Sequence, residues 1–171
     1  MSPGSPRVVV AAVGSLFRHD DAAGPAAVDL ARDRLGHAEV LGTLATPLEL
    51  MGAWDGADLA VVVDALRSGG AGAVHVVELG PDGPPAGAAA PAPRSSSHGI
   101  GVVEVLRLSR VCGTAPQRVV LVGVTGTEFG PGVGLSPQVA RAVARAADLV
   151  VAAVAGTIGP GRPGTDAAHC R

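Results

Sequence analysis

Uninterrupted apolar runs, rich in β-branched residues, alternate along this chain with segments whose apolar positions recur at helical spacing. Val8–Val13, Leu59–Asp64 and Arg118–Val124 are the strongest runs. None alternates with polar residues, the pattern of strands covered on both faces. Gly72–Leu79 is a further strand, and Glu39–Thr43 a weaker one. Between them, Pro25 sits in a first helical turn and Ala26–Leu35 continues it. Pro47–Trp54 makes a short helix, and Ser95 to Leu108 is a loop entering another. Ser136–Val154 is a long helix with Ser136 as N-cap and Pro137 at its first position. Ser15–Ala23 and the glycine-rich Thr125–Gly134 are loops that follow strands. Gly80–Arg94 is a Gly/Ala/Pro-rich surface loop, and Ala155–Arg171 a Gly/Pro-rich frayed tail.

Strand–helix alternation of this kind predicts an α/β fold of three layers, helix–sheet–helix, with a mainly parallel twisted central sheet. Residues 1–155 form its single domain, and 156–171 a disordered C-terminal tail. In such sheets ligands bind beyond the carboxyl ends of the strands. Val8–Val13, Leu59–Val63 and Arg118–Val124 are the expected inner strands.

Composition narrows the function classes. Of the 171 residues, 47% are hydrophobic and 16% charged, and the formal net charge is −2, so no basic surface for nucleic acid is expected. There is no lysine, hence no phosphate-loop lysine motif. The two cysteines, Cys112 and Cys170, form no CxxC pair, which argues against a disulfide scaffold or a cysteine zinc site. Cys112 reads as a core residue at an apolar helix end. No run of about 18 apolar residues exists for a membrane span, and Met1–Arg7 lacks the apolar core of a signal peptide. A cytoplasmic protein is expected.

The polar residues worth weighing fall at strand ends. Asp20 and Asp21, beside Arg18 and His19, read first as a solvated turn. Asp64 closes the run Val61-Val62-Val63-Asp64, where an ionised group is costly without a partner. It is either a structural cap or a functional carboxylate. His98, in Ser95-Ser96-Ser97-His98-Gly99, is either an unremarked residue behind a serine N-cap or an imidazole ligand. Carboxylate oxygens with one imidazole suit a borderline divalent ion such as nickel or zinc. No G-x-S-x-G elbow surrounds Ser15, and Ala12 and Phe17 occupy glycine positions of a dinucleotide fingerprint.

Taken in order, the motifs resemble those of the NiFe-hydrogenase maturation protease (hydrogenase maturation endopeptidase) family. They are strand-Gly-Ser-Leu-Phe-Arg-His-Asp-Asp-Ala-Ala-Gly, then Val-Val-Val-Asp-Ala, then Ser-Ser-His-Gly-Ile-Gly, then Val-Gly-Val followed by Gly-Val-Gly-Leu-Ser-Pro. The resemblance runs from Val8 to Val154. It implies an endopeptidase that removes the C-terminal extension of a nickel-loaded hydrogenase large-subunit precursor, with Asp21, Asp64 and His98 as catalytic and metal-binding residues. It also implies that nickel arrives with the substrate, so no tightly bound resident cofactor is expected. The expected partner is the precursor, and the expected oligomeric state a monomer. Some positions depart from the family pattern. Ala12-Val13-Gly14-Ser15 stands for Gly-x-Gly-Asn, Ala22 for a glycine after the acidic pair, and Leu41-Gly42-Thr43-Leu44-Ala45-Thr46 for an Asp-Gly-Gly-Thr-like segment. Two rival classes are a non-hydrolytic nickel-recognising chaperone or binding module for the large subunit, and a phosphorylase- or nucleosidase-like hydrolase. The second lacks a phosphate loop, and only Phe17, Phe129 and Trp54 are available for stacking.

Overall fold

A computed structural model describes residues 6–67, 70–79 and 101–156. Its strands are β1 (Val8–Val13), β2 (Glu39–Leu44), β3 (Leu59–Arg67), β4 (Val74–Leu79) and β5 (Arg118–Gly126). Its helices are α1 (Ala23–Ala31), α2 (Leu50–Ala53), α3 (Val102–Cys112) and α4 (Pro137–Val154). Among the described residues the strands form one sheet in the order β2-β1-β3-β5-β4. β2, β1, β3 and β5 are parallel, and β4 lies antiparallel on the edge of β5. The predicted inner strands are therefore the inner strands, and the three-layer α/β prediction holds.

The period-2 geometry of a strand explains why the apolar runs are continuous. Val8, Val10 and Ala12 of β1, and Val61 and Val63 of β3, join a core with Ala27 of α1 and Val139, Ala146 and Val150 of α4. Ala11 and Val13, with Ala60 and Val62, pack on the other face against Leu50, Trp54, Val105 and Leu106 of α2 and α3. Both faces are buried, so neither parity tolerates an unpaired charge. The second core carries one polar tie, a buried hydrogen bond in which Trp54 Nε1 donates to Ser109 Oγ at 3.1 Å.

Several elements differ from the sequence expectation. α1 begins at Ala23, three residues early, with Pro25 still inside the first turn, where its missing N–H costs nothing. β3 runs three residues past Asp64, because Ala65, Leu66 and Arg67 pair with Val124, Thr125 and Gly126. Asp64 is thus inside a strand rather than at its end. Cys112 is exposed at the end of α3, on the solvent side of the helix, and is not a core residue. Ser136 does occupy the N-cap position of α4, but its hydroxyl makes no capping hydrogen bond. The surface loop Gly80–Arg94, the start of the Ser95–Leu108 segment and the tail beyond Gly156 lie outside the described residues.

Candidate functional site

The chain leaves β1 through Gly14, whose φ of +143° belongs to glycine. A Cβ there would lie 2.1 Å from the Asp21 carbonyl oxygen, so this glycine lets the turn fold back beneath the acidic pair. A 3-10 turn, His19–Ala22, carries both carboxylates and packs against β3. Gly24 then brings α1 onto the strand ends, since a Cβ there would meet the Val63 and Val13 carbonyl oxygens at 2.8 and 3.0 Å. Both aspartates are fully buried. The solvated-turn reading is overturned.

Their environments differ. Asp20 is saturated with donors. The N–H groups of Thr127 and Glu128 each donate to its Oδ2 at 3.0 Å, and that of Ser136 to its Oδ1 at 2.8 Å. Burial alone would raise its carboxyl, yet these amides of Glu128, Ser136 and Thr127 hold it below the usual carboxylate range. Gly126 is needed for this fit, because a Cβ would sit 2.6 Å from Asp20 Cβ. Asp20 therefore ties the turn after β1 to the loop after β5 and to the start of α4. Sequence reasoning passed over it in favour of its neighbour. The available signal was the pair itself: two adjacent side chains on one turn face different ways, so their surroundings can differ.

Asp21 accepts from the Ser15 N–H through Oδ2 at 2.9 Å. The Ser15 departure keeps this contact, since a backbone donor makes it. Asp64 lies on the same rim with a relative exposure of 2%, on the sheet face covered by α2 and α3. Its Oδ1 is buried without a hydrogen-bond partner among the described residues. Desolvation pushes its carboxyl up to about 7; the Ala65 N–H opposes this and the negative charge of Asp21 adds to it. In the sheet Asp64 pairs with Gly123, which has no side chain of its own there. The two carboxylates are thus electrostatic neighbours.

His98 lies outside the described residues. Among the described residues no group of three or more His, Cys, Asp or Glu could hold a metal ion. Nor is any of their helices long and apolar enough to cross a membrane.

A doubly covered, mostly parallel sheet with two buried carboxylates, Asp21 and Asp64, on its carboxyl-end rim defines the class: an α/β protein with an acidic rim site. Residues 36–153 match the family model of the hydrogenase maturation proteases, a span that contains Asp64 and His98. The chain belongs to the hydrogenase maturation protease family, and is a hydrolase, a maturation endopeptidase. It is 28% identical over 151 residues to the hydrogenase 2 maturation protease of Escherichia coli (strain K12), covering 86% of this chain and 90% of that protein. Among solved structures, a hydrogenase maturating endopeptidase from Escherichia coli matches with a TM-score of 0.71 and 27% identity, over 88% of this chain and 93% of that one. A hydrogenase 2 maturation peptidase from a Thaumarchaeota archaeon matches with a TM-score of 0.61 and 25% identity, over 86% and 97%.

Proposed function

We propose that this protein removes the C-terminal extension of a NiFe-hydrogenase large-subunit precursor, and that it recognises the nickel already held by that substrate. Asp21, Asp64 and His98 would complete the shell of the incoming ion. The observation that carries this reading is the buried, unpartnered Oδ1 of Asp64 beside the Asp21 charge. A buried carboxylate oxygen without a donor, beside a like charge, is costly. A divalent cation placed between the two offsets both the desolvation and the repulsion, and hard oxygen donors with one imidazole leave coordination positions open for the substrate's own ligands.

Asp21 is fixed by the Ser15 N–H, and Asp64 keeps an oxygen for the ion or for a proton. The docked nickel polarises the scissile carbonyl or the attacking water. The water gives up a proton as it adds to the carbonyl carbon, and that proton goes to the leaving amine. A carboxyl whose pKa lies near neutrality is suited to carry it. Family membership supports peptide hydrolysis over a purely binding role. Asp20 acts at one remove, by holding the rim loops in register.

The test follows the ion. Nickel-loaded precursor should be trimmed, with the mass loss read by mass spectrometry, and nickel-free precursor should stay intact. Enzyme treated with chelator and then freed of it should cut loaded precursor at the original rate. A stripped enzyme that regained activity only when metal was added to the enzyme itself would refute substrate-delivered nickel.

A further inference from the structure

The chain between β1 and the acidic turn carries large apolar side chains where a turn ordinarily carries small or polar ones. The Arg18 N–H donates to the Ser15 carbonyl oxygen at 3.3 Å and closes a turn whose two corners are Leu16 and Phe17. Such corners favour Gly, Pro, Asn, Asp and Ser. Here Leu16 is 52% exposed and Phe17 71%. Val133, 75% exposed, belongs to the adjoining loop between β5 and α4. Two hydrogen bonds zip the loops together: the Gly132 N–H donates to the Phe17 carbonyl oxygen at 2.9 Å, and the His19 N–H to the Gly132 carbonyl oxygen at 3.2 Å. Apolar side chains exposed singly are ordinary on a protein surface. Three carried on two zipped loops call for a partner.

Asp21 holds both ends of this turn. The Ser15 N–H donates to its Oδ2 at 2.9 Å, and its own N–H donates to the Arg18 carbonyl oxygen at 3.1 Å. The Ser15 hydroxyl oxygen accepts from the Phe17 N–H at 3.3 Å. Both backbone polar groups of Phe17 are thus engaged, so its exposed ring stands on a fixed support at the edge of the carboxylate site. Consecutive Cα atoms lie about 3.8 Å apart, which puts Phe17 within about 8 Å of the residue that binds Asp21, a distance an extended peptide covers in about three residues. Even at roughly 200 Å² per side chain, the three expose on the order of 400 Å². A stable interface takes about 800 Å² from each partner, so the surface is too small for a second copy of this chain and suits a short peptide. We propose that Leu16, Phe17 and Val133 form a docking surface for apolar side chains of the precursor that lie within about three residues of the cleaved bond. The inference rests on the processing function proposed above and names a determinant of its specificity. These contacts are remote from the reacting bond, favour substrate and transition state alike, and so act on KM.

The experiment compares wild type with Phe17→Ser, Phe17→Leu, Leu16→Ser and Val111→Ser on nickel-loaded precursor. Phe17→Ser should raise KM about tenfold, as for losing the burial of one large apolar side chain, with kcat within about twofold. Leu16→Ser should raise it less, and Phe17→Leu, which keeps an apolar corner, should restore most of the loss. Val111, equally exposed but on α3, serves as the control, and Val111→Ser should leave KM unchanged. An unchanged KM in Phe17→Ser, a loss confined to kcat, or an equal rise in Val111→Ser overturns the proposal. A precursor whose apolar side chains within three residues of the cleaved bond are changed to serine identifies the occupant. On it, wild type and Phe17→Ser should have the same KM, and a tenfold difference that persisted would overturn the assignment. A wild type that sediments as a dimer and a Phe17→Ser that sediments as a monomer with unaltered KM would instead make this surface a contact between copies. Should wild type cut no precursor, the processing function falls. Binding of the same precursor then decides the docking surface: about tenfold weaker binding to Phe17→Ser supports it, and equal or absent binding refutes it.

Discussion

Asp20 and Asp64 are both buried carboxylates on one rim, and they have opposite fates. Asp20 accepts three backbone N–H groups from the β5–α4 loop and is held ionised. Asp64 has an oxygen with no donor and a like charge nearby, and its carboxyl rises to about 7. Both are closed to solvent, but Asp64 lies the deeper of the two, and depth together with the supply of donors separates them. Where donors converge, a carboxylate stabilises the fold. Where they are withheld, it stores electrostatic energy that an arriving cation can release. On the proposed reading, the rim divides into a lock at Asp20 and a reactive half at Asp21 and Asp64, joined by the single peptide between Asp20 and Asp21.

The sharpest break of this contrast is Asp64→Asn. Processing should fall by about 10²–10⁴-fold, the range for losing a proton-transfer group, and loss of an ion ligand acts in the same direction. Thermal stability at pH 8 should nonetheless be unchanged or higher, because a buried charge has been removed. A variant that melted lower at pH 8 while still processing precursor would make Asp64 a structural cap.

The complementary change is Asp20→Ala. It strands three N–H groups at once, so a loss of about 3 kcal/mol or more is expected. For a chain of this size that lowers the melting temperature by roughly 6–12 °C. The depressed carboxyl adds a sign check. Its stabilisation is present above the unfolded value of 3.8 and disappears as pH falls through the folded one. The deficit of Asp20→Ala should therefore shrink toward strongly acid pH. A deficit equally large there would mean that packing, not charge, is what Asp20 supplies.

Gly14→Ala connects the two halves. Its Cβ would collide with the Asp21 carbonyl in a backbone region that disfavours alanine. A cost of about 1–3 kcal/mol is expected, together with reduced processing, since Asp21 must shift. Melting curves and turnover measured on the same preparation should move together. Stability loss with full activity would show that Asp21 is not needed in its present place.

Much of this was legible in the chain, and the exceptions share a cause. β1, β3 and β5 are continuous apolar runs, and only a doubly covered sheet accommodates them, so fold class and inner strands followed from residue type. Asp64 stood out as a charge inside such a run. The burial of Asp20 and Asp21 was not legible, because the donors that saturate Asp20 come from Thr127, Glu128 and Ser136, more than a hundred positions away. Cys112 misled for a different reason: an apolar helical end was visible, but the exposed side of the last turn is a matter of rotation about the helix axis. Long-range donors and helix phase are tertiary facts, and local pattern does not encode them.

The smallest expected effect is also the most direct readout of the contrast. At pH 6 the folded protein holds a proton on Asp64, whose carboxyl titrates near 7, and the unfolded chain, with a value of 3.8, does not. The folded state binds more protons through this window, so stability from this group falls as pH rises through about 7. The contribution is fully present below the unfolded value and gone above the folded one. One proton amounts to about 1.4 kcal/mol per pH unit, so between pH 6 and pH 8 the melting temperature should drop by a few degrees. Other groups titrate over the same range, which makes the difference between wild type and Asp64→Asn the informative quantity. That difference should be smallest near pH 4, already favour the variant at pH 6 and grow a little further by pH 8. Parallel profiles across the window would mean that Asp64 is already charged and compensated at pH 6, leaving no stored repulsion for a substrate-borne cation to relieve.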